Sequence, residues 1–176
     1  MTWAVMVFAM STVATAQVES IGPGDYHCSA PAGDYFNQDI APLEVGKPVI
    51  VRVRLIADHP DPAWLEQVSI YFTTPDGRVD VKVGEGNGDA DHIYVALLDP
   101  KNNVQLIAKY PVTNLWVPLE MSLDRKGVLR VESAKQAGKI NLGTTSPMKT
   151  QLHCHSGEFE IQVQPSGNAG LAASSK

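Results

Sequence analysis

Basic residues, cysteines and long apolar runs are all scarce in this sequence of 176 residues. Lys and Arg number 14 against 19 Asp and Glu, which gives a formal net charge of -5. Binding to nucleic acid or to an anionic membrane surface needs a basic field, so the acidic balance argues against both. The 12 Pro and 14 Gly are too few for a collagen-like or low-complexity chain. The length fits one globular domain with a core of its own.

The longest apolar stretch, residues 3–10, lies at the start of the chain. No charged side chain occurs in residues 1–18, and the small residues Ala14-Thr15-Ala16 follow the apolar stretch. This pattern is typical of a signal peptide, and it predicts cleavage after Ala16 and export to the periplasm or the extracellular space. A membrane anchor is the alternative, but about eight clearly apolar residues fall short of the ~20 that span a bilayer.

The two cysteines fit an exported protein, because an even number of cysteines in an oxidising compartment usually pairs. Cys28 and Cys154 are 126 positions apart, one near each end of the predicted domain. A disulfide between them would stabilise the fold by about 5 kcal/mol in the chain-entropy model. It would also bring the two terminal segments together.

Alternating apolar and polar residues predict about ten short strands separated by turn signals every 8 to 12 residues. In the first of them, Val49, Val51 and Val53 form the apolar side. A helical turn over 61–67, capped by Asp61, is the longest helical signal. This pattern predicts an all-β, antiparallel two-sheet sandwich of the jelly-roll kind over residues 22–165, followed by a flexible tail over 166–176. The predicted strands are 49–56, 68–73, 78–83, 93–98, 104–109, 115–123, 128–132, 139–142, 150–154 and 158–164.

The hairpin over 115–132 carries an aromatic residue, apolar alternation, an Asp124-x-x-Gly127 turn and a Val-Leu-x-Val strand. In this order it resembles a recurrent hairpin of the concanavalin A-like and laminin G-like jelly rolls. The resemblance implies two sheets, a last strand beside the first, and a curved face that often binds glycans. The Glu-x-Asp-x-x-Glu strand of the related glucanases is absent, and the sequence shows no Arg/Gln/His/Tyr set like that of the related alginate lyases. A non-catalytic member is therefore expected.

The tripeptide His153-Cys154-His155 places two imidazoles on one face of a strand and the cysteine on the other. If Cys154 pairs with Cys28, His27 should share that face, and three imidazoles could hold Zn²⁺ or Cu²⁺. The alternative is a solvated polar face, because no carboxylate is clearly placed to orient the rings. A zinc or nucleophilic site built on reduced thiols is disfavoured by the oxidising compartment.

Residues 84–92 form a loop rich in oxygen ligands, and four of its side chains suit Ca²⁺, which takes six to eight oxygens. Its spacing does not match an EF-hand, so the alternative is a solvated loop tip in which Gly, Asn and Asp provide backbone freedom. The four candidate ligands are Glu85, Asn87, Asp89 and Asp91. The sequence makes no cofactor certain, and calcium is the candidate that it suggests beside the transition metals considered for the histidines.

The positions opposite the apolar alternation form the candidate ligand surface. Aromatic rings there would stack on sugar faces, while charged groups would bind hydroxyls or uronates. The alternative is a solvated sheet face whose cross-strand pairs contribute to stability. Alternation does not show whether these strands share a sheet. The candidates are Arg52, Arg54, Tyr71, Tyr94 and Trp116.

The sequence therefore predicts an exported binding domain for a glycan or a cell-envelope polysaccharide, without nucleic-acid binding and without a membrane span after cleavage. A structural or accessory envelope protein is one alternative. The other is a polysaccharide-active enzyme, for which we expect a cleft with a Tyr/His or paired-carboxylate centre and a perturbed pKa. Glu158 and Glu160 do not provide the paired carboxylates, because Phe159 and Ile161 alternate with them as core residues and leave them as a solvated row.

Overall fold

The computed structural model describes residues 17–57, 65–86, 89–112, 115–145 and 149–166. The predicted signal peptide, residues 61–64 of the predicted helical turn, Asn87 and most of the predicted tail lie outside these ranges. Gln67, predicted as the end of that helical turn, is the first residue of a strand. Within them, no helical segment is long and apolar enough to cross a bilayer.

Eleven strands form one antiparallel sheet, which confirms the all-β prediction. The strands are β1 (Gln17–Gly22), β2 (Asp25–Ile40), β3 (Val49–Ala57), β4 (Gln67–Thr74), β5 (Gly77–Gly86), β6 (Asp89–Leu98), β7 (Val104–Pro111), β8 (Val117–Leu123), β9 (Val128–Ser133), β10 (Gln136–Asn141) and β11 (Thr150–Pro165).

The two long strands β2 and β11 pair along most of their length and belong to both halves of the fold. The end of β11, from Glu158, pairs with β3, whereas its beginning, Thr150 to His155, pairs with β4. One half therefore runs β10-β9-β8-β3-β11-β2-β1, and the other runs β7-β6-β5-β4-β11-β2. The sequence predicted two separate sheets. The strands instead form one continuous hydrogen-bonded sheet, because β2 and β11 pass through both halves.

An extra residue bends β11 between its two halves. The pairing register shifts between His155 and Gly157, where Ser156 has a φ of 44° and Gly157 a φ of 96°. On β2, Gly33 has a φ of 83°, and its N–H donates to Ser156 Oγ at 3.1 Å. A bulge of this kind shifts the alternation by one residue, so the outward positions are odd-numbered before the bend and even-numbered after it.

The two outer edges of the sheet approach each other and make it nearly a barrel. Gln105 on β7 joins them, since its amide donates to Lys139 O at 3.1 Å and accepts from Lys139 N at 3.2 Å. Inside, alternating residues of β2 to β9 and of β11 form one core that includes Phe72, Leu119 and Phe159. The prediction that Phe159 and Ile161 are core residues is confirmed.

The predicted disulfide is present and links the two halves across the bend. Cys28 pairs in register with Phe159, whereas Cys154 pairs with Phe36 and Val68, so the cysteines are not cross-strand neighbours. Their Cα atoms lie 6.4 Å apart, and both residues are fully buried. The bond therefore connects inward-facing positions of the two halves, and the described residues contain no free cysteine.

Candidate functional site

The five predicted surface residues belong to two different faces. Arg52 and Arg54 lie on β3 and Trp116 just before β8, in the first half of the sheet, whereas Tyr71 and Tyr94 lie on β4 and β6, in the second half. Alternation predicts which side of a strand faces outward but not where that strand lies in the sheet. The single surface is therefore not formed, and ligand binding by each group remains a prediction.

On the second half, four adjacent strands bring a set of aromatic, amide and cationic side chains together. His153 on β11 lies opposite Asn37 on β2, and Gln151 lies opposite Tyr71 on β4. Tyr71 in turn lies opposite Asp80 on β5, close to Arg78. Six residues on these strands line an open depression, and we call them the aromatic face: Tyr35, Asn37, Tyr71, Arg78, Gln151 and His153.

The rings of the aromatic face form a stacked row across the strands. The His153 ring lies 5.4 Å from the Tyr35 centroid at an interplanar angle of 21°, and 4.8 Å from the Tyr71 centroid at 30°. Arg78 extends the row, with its Cζ 4.0 Å from the Tyr71 ring centre. The row borders an open depression of about 340 Å³. Tyr35 at its end is 63% exposed, so an apolar ring stands in water beside a concave surface.

His153 is neutral at the centre of this face. Its Nδ1 lies 2.6 Å from Asn37 Oδ1, and since that oxygen only accepts, Nδ1–H donates and Nε2 is left as an acceptor. Burial lowers the pKa of His153, and the charges of His155, Arg78 and Lys82 act in the same direction, to about 4. The face therefore carries an uncharged imidazole over the whole neutral range.

Arg78 is held in place by a buried carboxylate. Its Nε lies 2.8 Å from Asp80 Oδ1, and only 6% of the Asp80 side chain is exposed. Burial raises the pKa of Asp80, while Arg78 and Lys82 act against that rise. With Nε toward Asp80 and one plane on Tyr71, the guanidinium has its Nη edge left for another group.

The outer surface of the first half is different in character. His27 Nε2 donates to Glu158 Oε1 at 2.8 Å, and Arg54 Nε donates to Glu160 Oε2 at 3.1 Å. The Arg54 guanidinium also lies over Trp116, 4.8 Å from the ring centroid. We call this surface the paired face: His27, Arg54, Trp116, Glu158 and Glu160. Its charges are already matched within the chain.

The three histidines expected on one face are divided between the two faces. His153 and His155 do share a face, with ring centroids 6.4 Å apart, but His27 lies with Glu158 on the paired face. Cys28 and Cys154 point inward from two halves that face each other, so the residues next to them in the sequence point outward in opposite directions. This places His27 away from His153 and His155. Among the described residues, no group of three or more His, Cys, Asp and Glu side chains is placed to hold a metal ion.

In the acidic loop predicted to bind calcium, the Asp89 carboxylate already accepts hydrogen bonds from other residues of the protein. Asp89 Oδ1 accepts from His92 Nδ1 at 2.8 Å, and Oδ2 accepts from Lys109 Nζ at 2.9 Å and from the Tyr94 hydroxyl. These donors hold the pKa of Asp89 well below its usual range. Asp91 is exposed and Asn87 lies outside the described residues, so calcium binding by Glu85, Asn87, Asp89 and Asp91 remains a prediction.

A larger depression, of about 540 Å³, lies at the turns that include Asp76, Pro100 and Asn141. Two of its acceptors, Asp99 and Asn141, are already used locally. Asp99 accepts from Lys101 N and Asn103 N, both at 2.8 Å, and Asn141 Oδ1 accepts from Gly143 N at 3.0 Å. Chemistry rather than volume thus favours the aromatic face as the binding site.

Of the six residues of the aromatic face, only Tyr71 and His153 were named from the sequence as candidate site residues, and Arg78, Gln151, Tyr35 and Asn37 were not. Gln151 could have been predicted, because alternation in 150–154 places it on the same side of the strand as His153, whereas Leu152 lies on the buried side. Tyr35 and Asn37 gave no signal, since the preceding Pro31 and Gly33 conceal the strand. The spacing gave no sign of an Arg, Gln, His and Tyr set, yet the fold brings Arg78, Gln151 and His153 together with two tyrosines.

No protein-family model matches this chain, and no curated protein sequence matches it. Solved structures do. The Emp46p carbohydrate recognition domain in its metal-free form is similar with a TM-score of 0.53 and 8% identity, over 85% of this chain and 86% of that one. Likeness at this identity shows the fold, which is a lectin-like β-sandwich.

Two further solved structures have lower TM-scores. An alginate lyase from Pseudomonas aeruginosa gives 0.47 at 11% identity, over 80% of this chain and 73% of that one. A toad ovary galectin in complex with thio-digalactose gives 0.46 at 11% identity, over 76% of this chain and all of that one (100%). The fold assignment rests on the Emp46p domain.

Proposed function

We propose that this protein is a non-catalytic glycan-binding domain and that the aromatic face is its binding site. The observation that carries the proposal is the stacked row of Tyr35, His153, Tyr71 and Arg78 beside a depression of about 340 Å³. The lectin-like fold and the carbohydrate recognition domain that shares it support this proposal.

Each part of the face suits one property of a sugar. The exposed Tyr35 ring offers an apolar surface to the C–H side of a pyranose. Asn37 Oδ1 accepts from His153, and Gln151 Nε2 donates to Asp39 Oδ1 at 2.8 Å. The Asn37 N–H groups, the Gln151 amide oxygen and the Nε2 of neutral His153 are then the groups that would bind hydroxyl groups. A few directed polar groups around an apolar surface are the usual design of a small-ligand site.

A glycan array, run with calcium and with a chelator, should identify the ligand, and calorimetry should measure its affinity. We expect Tyr35→Ala to weaken binding by about tenfold or more, because the side chain is exposed and central to contact rather than to stability. Trp116→Ala removes an aromatic ring from the paired face and should leave the affinity unchanged. If Trp116→Ala abolished binding and Tyr35→Ala did not, the binding site would lie on the paired face and the proposal would be wrong.

We further propose export to the periplasm or extracellular space, a jelly-roll topology and a cell-envelope polysaccharide as the partner. The small-residue pattern before Gln17 and the disulfide support export. N-terminal sequencing of the secreted protein should begin at Gln17. A structural or accessory envelope role is the alternative, and it predicts that no glycan on the array binds.

A polysaccharide-active enzyme is the second candidate, and one observation favours it. The depression has a Tyr/His centre, and the pKa of His153, lowered to about 4, leaves a neutral imidazole that can accept a proton at pH 7. Incubation with array-positive polysaccharides should then produce new reducing ends, and His153→Gln should abolish them. Binding without new ends supports the non-catalytic function.

A further inference from the structure

Positive charge surrounds the depression of the aromatic face on its β5 side. Arg78 lines it, and both Arg78 and Lys82 lie close enough to His153 to disfavour its protonation. Asp80 balances one of the two cations and is nearly fully buried behind Arg78. Arg78 therefore borders the depression, Lys82 lies near enough to act on His153, and the carboxylate that pairs with Arg78 is buried beneath it.

Arg78 is also prepared for a second carboxylate. Stacking on Tyr71 fixes the guanidinium plane, and the ion pair of Nε with the buried Asp80 holds that side of the group against the sheet. Among the described residues nothing pairs with the Nη edge, which presents two parallel N–H groups, the geometry that a carboxylate accepts in a bidentate pair. On the paired face, by contrast, the Arg54 guanidinium already has Glu160.

We infer that the aromatic face selects glycans that carry a carboxylate, the uronate class, and that Arg78 recognises that carboxylate. The inference rests on the proposed glycan binding and specifies its ligand. Tyr35 stacks on the sugar ring, Asn37 and Gln151 bind hydroxyl groups, and Arg78 binds the acid.

A bound carboxylate also changes the balance of charge at His153. The groups that face this ring from the neighbouring strands are neutral or cationic apart from Asp80: Tyr35 and Asn37 on β2, His155 on β11, Tyr71 on β4, and Arg78, Asp80 and Lys82 on β5. The carboxylate of Asp39 lies one outward position further along β2, opposite Gln151, and is paired with Lys149. An anion in the depression offsets the cations, so protonation of His153 becomes easier in the complex than in the free protein. Uronate binding should therefore take up protons and strengthen as the pH falls from 7 to 5, where the uronate is still ionised.

Calorimetry with a panel of oligouronates and their carboxyl-reduced, neutral counterparts tests this inference. We expect the wild type to prefer the acidic member of a pair by roughly tenfold to a hundredfold, the range for a hydrogen bond to a charged group. Arg78→Met should remove the preference, and Arg78→Lys should retain only part of it. Arg130→Met, which removes the same charge from β9, is the control and should keep the wild-type preference.

The proton uptake is measured in buffers that differ in ionisation enthalpy. It should accompany uronate binding by the wild type at pH 5 and be absent in His153→Gln. Equal affinity for acidic and neutral chains, or a preference that survives in Arg78→Met, overturns the inference and leaves glycan binding standing. If the panel and the array both fail to bind, the proposed function itself is wrong.

Discussion

The aromatic face and the paired face occupy the same side of the same sheet, yet they satisfy their polar groups in opposite ways. On the paired face, the polar side chains are matched across neighbouring strands: Arg54 forms an ion pair with Glu160, and the His27 ring hydrogen-bonds to Glu158. On the aromatic face, a neutral imidazole, two amides and a tyrosine at the end of a stack surround one depression. Polar groups that already have partners within the protein gain little binding free energy from a ligand, whereas an incompletely matched surface gains more.

This contrast explains why residue type alone is a weak guide to the site. Arg54 and Trp116 look as suitable for a sugar as Arg78 and Tyr71, and each arginine lies over an aromatic ring. The difference lies in the acid beside each arginine. Glu160 pairs with Arg54 at the surface, whereas Asp80 lies below Arg78 and leaves its outer edge accessible.

The largest effect is expected at the link between the halves that carry the two faces. Replacing both cysteines, Cys28→Ser with Cys154→Ser, should lower the free energy of unfolding by about 3 to 5 kcal/mol, because a loop of 126 residues is no longer closed in the unfolded chain. Urea denaturation measures it, with reduced and oxidised wild type as the matched pair. A change below about 1 kcal/mol would show that the halves hold together without the bond.

A smaller effect distinguishes the aromatic face by its response to acid. The ordinary histidine pKa of 6.5 applies to the unfolded chain, whereas in the folded protein the pKa of His153 is about 4. Between these values the unfolded chain binds a proton and the folded protein does not, so stability falls as the pH drops from 6.5 to 4. The loss should be about 2 kcal/mol after allowance for solvent around the ring.

His153→Gln should flatten this part of the stability profile, measured by urea denaturation at several pH values. Gln151→Asn changes the same strand without removing a titratable group, so it should retain the slope. An unchanged slope in His153→Gln would show that the imidazole is not the group responsible.

The smallest effects compare the two acids that hold the arginines. Glu160→Gln should lower the free energy of unfolding at pH 7 by about 0.5 kcal/mol, since its ion pair with Arg54 is partly exposed. Burial raises the pKa of Asp80, so the folded protein takes up that proton at a higher pH than the unfolded chain does. This carboxyl group therefore adds stability as the pH falls toward 3.8, and Asp80→Asn should lose that gain.

Thermal denaturation of Glu160→Gln and Asp80→Asn at pH 7 and at pH 4 measures the comparison. If acidification affects both variants equally, the two acids are in similar environments and the proposed difference between the faces is incorrect.

Local patterns predicted the strands well wherever side chains alternate. Val51 and Val53 on β3, and Val79 and Val81 on β5, are buried as the period of two requires. The turn residue Asp124 accepts from the N–H groups of Lys126 and Val128, as an Asp-x-x-Gly turn predicts. These features depend on neighbours in sequence, so the sequence contains them.

The site depends on contacts that are distant in sequence. Residues 29–34 have the composition of a turn, yet they lie within β2, because β2 pairs with β11 on both sides of them, up to Ala30 and again from Tyr35. Residues 31–34 themselves have no partner in the register and lie opposite the bulge at Ser156. Residues 150–154 and 158–164 read as two strands but form one, because Ser156 and Gly157 make a bulge instead of a turn. Without β2 and the bend, neither the division into two faces nor the aromatic row could be predicted.

The position of β11 in the sheet has a consequence for how the protein folds during its synthesis. This strand lies between β2 on one side and β3 and β4 on the other, yet it is the last of the described strands to be synthesised. Hairpins such as β4-β5 and β8-β9 can pair before it, but β11 is the strand that brings β2, β3 and β4 together. The two halves therefore join after residues 150–165 are made, and because this closure spans most of the described residues, folding should take milliseconds to seconds, as in other all-β sandwiches.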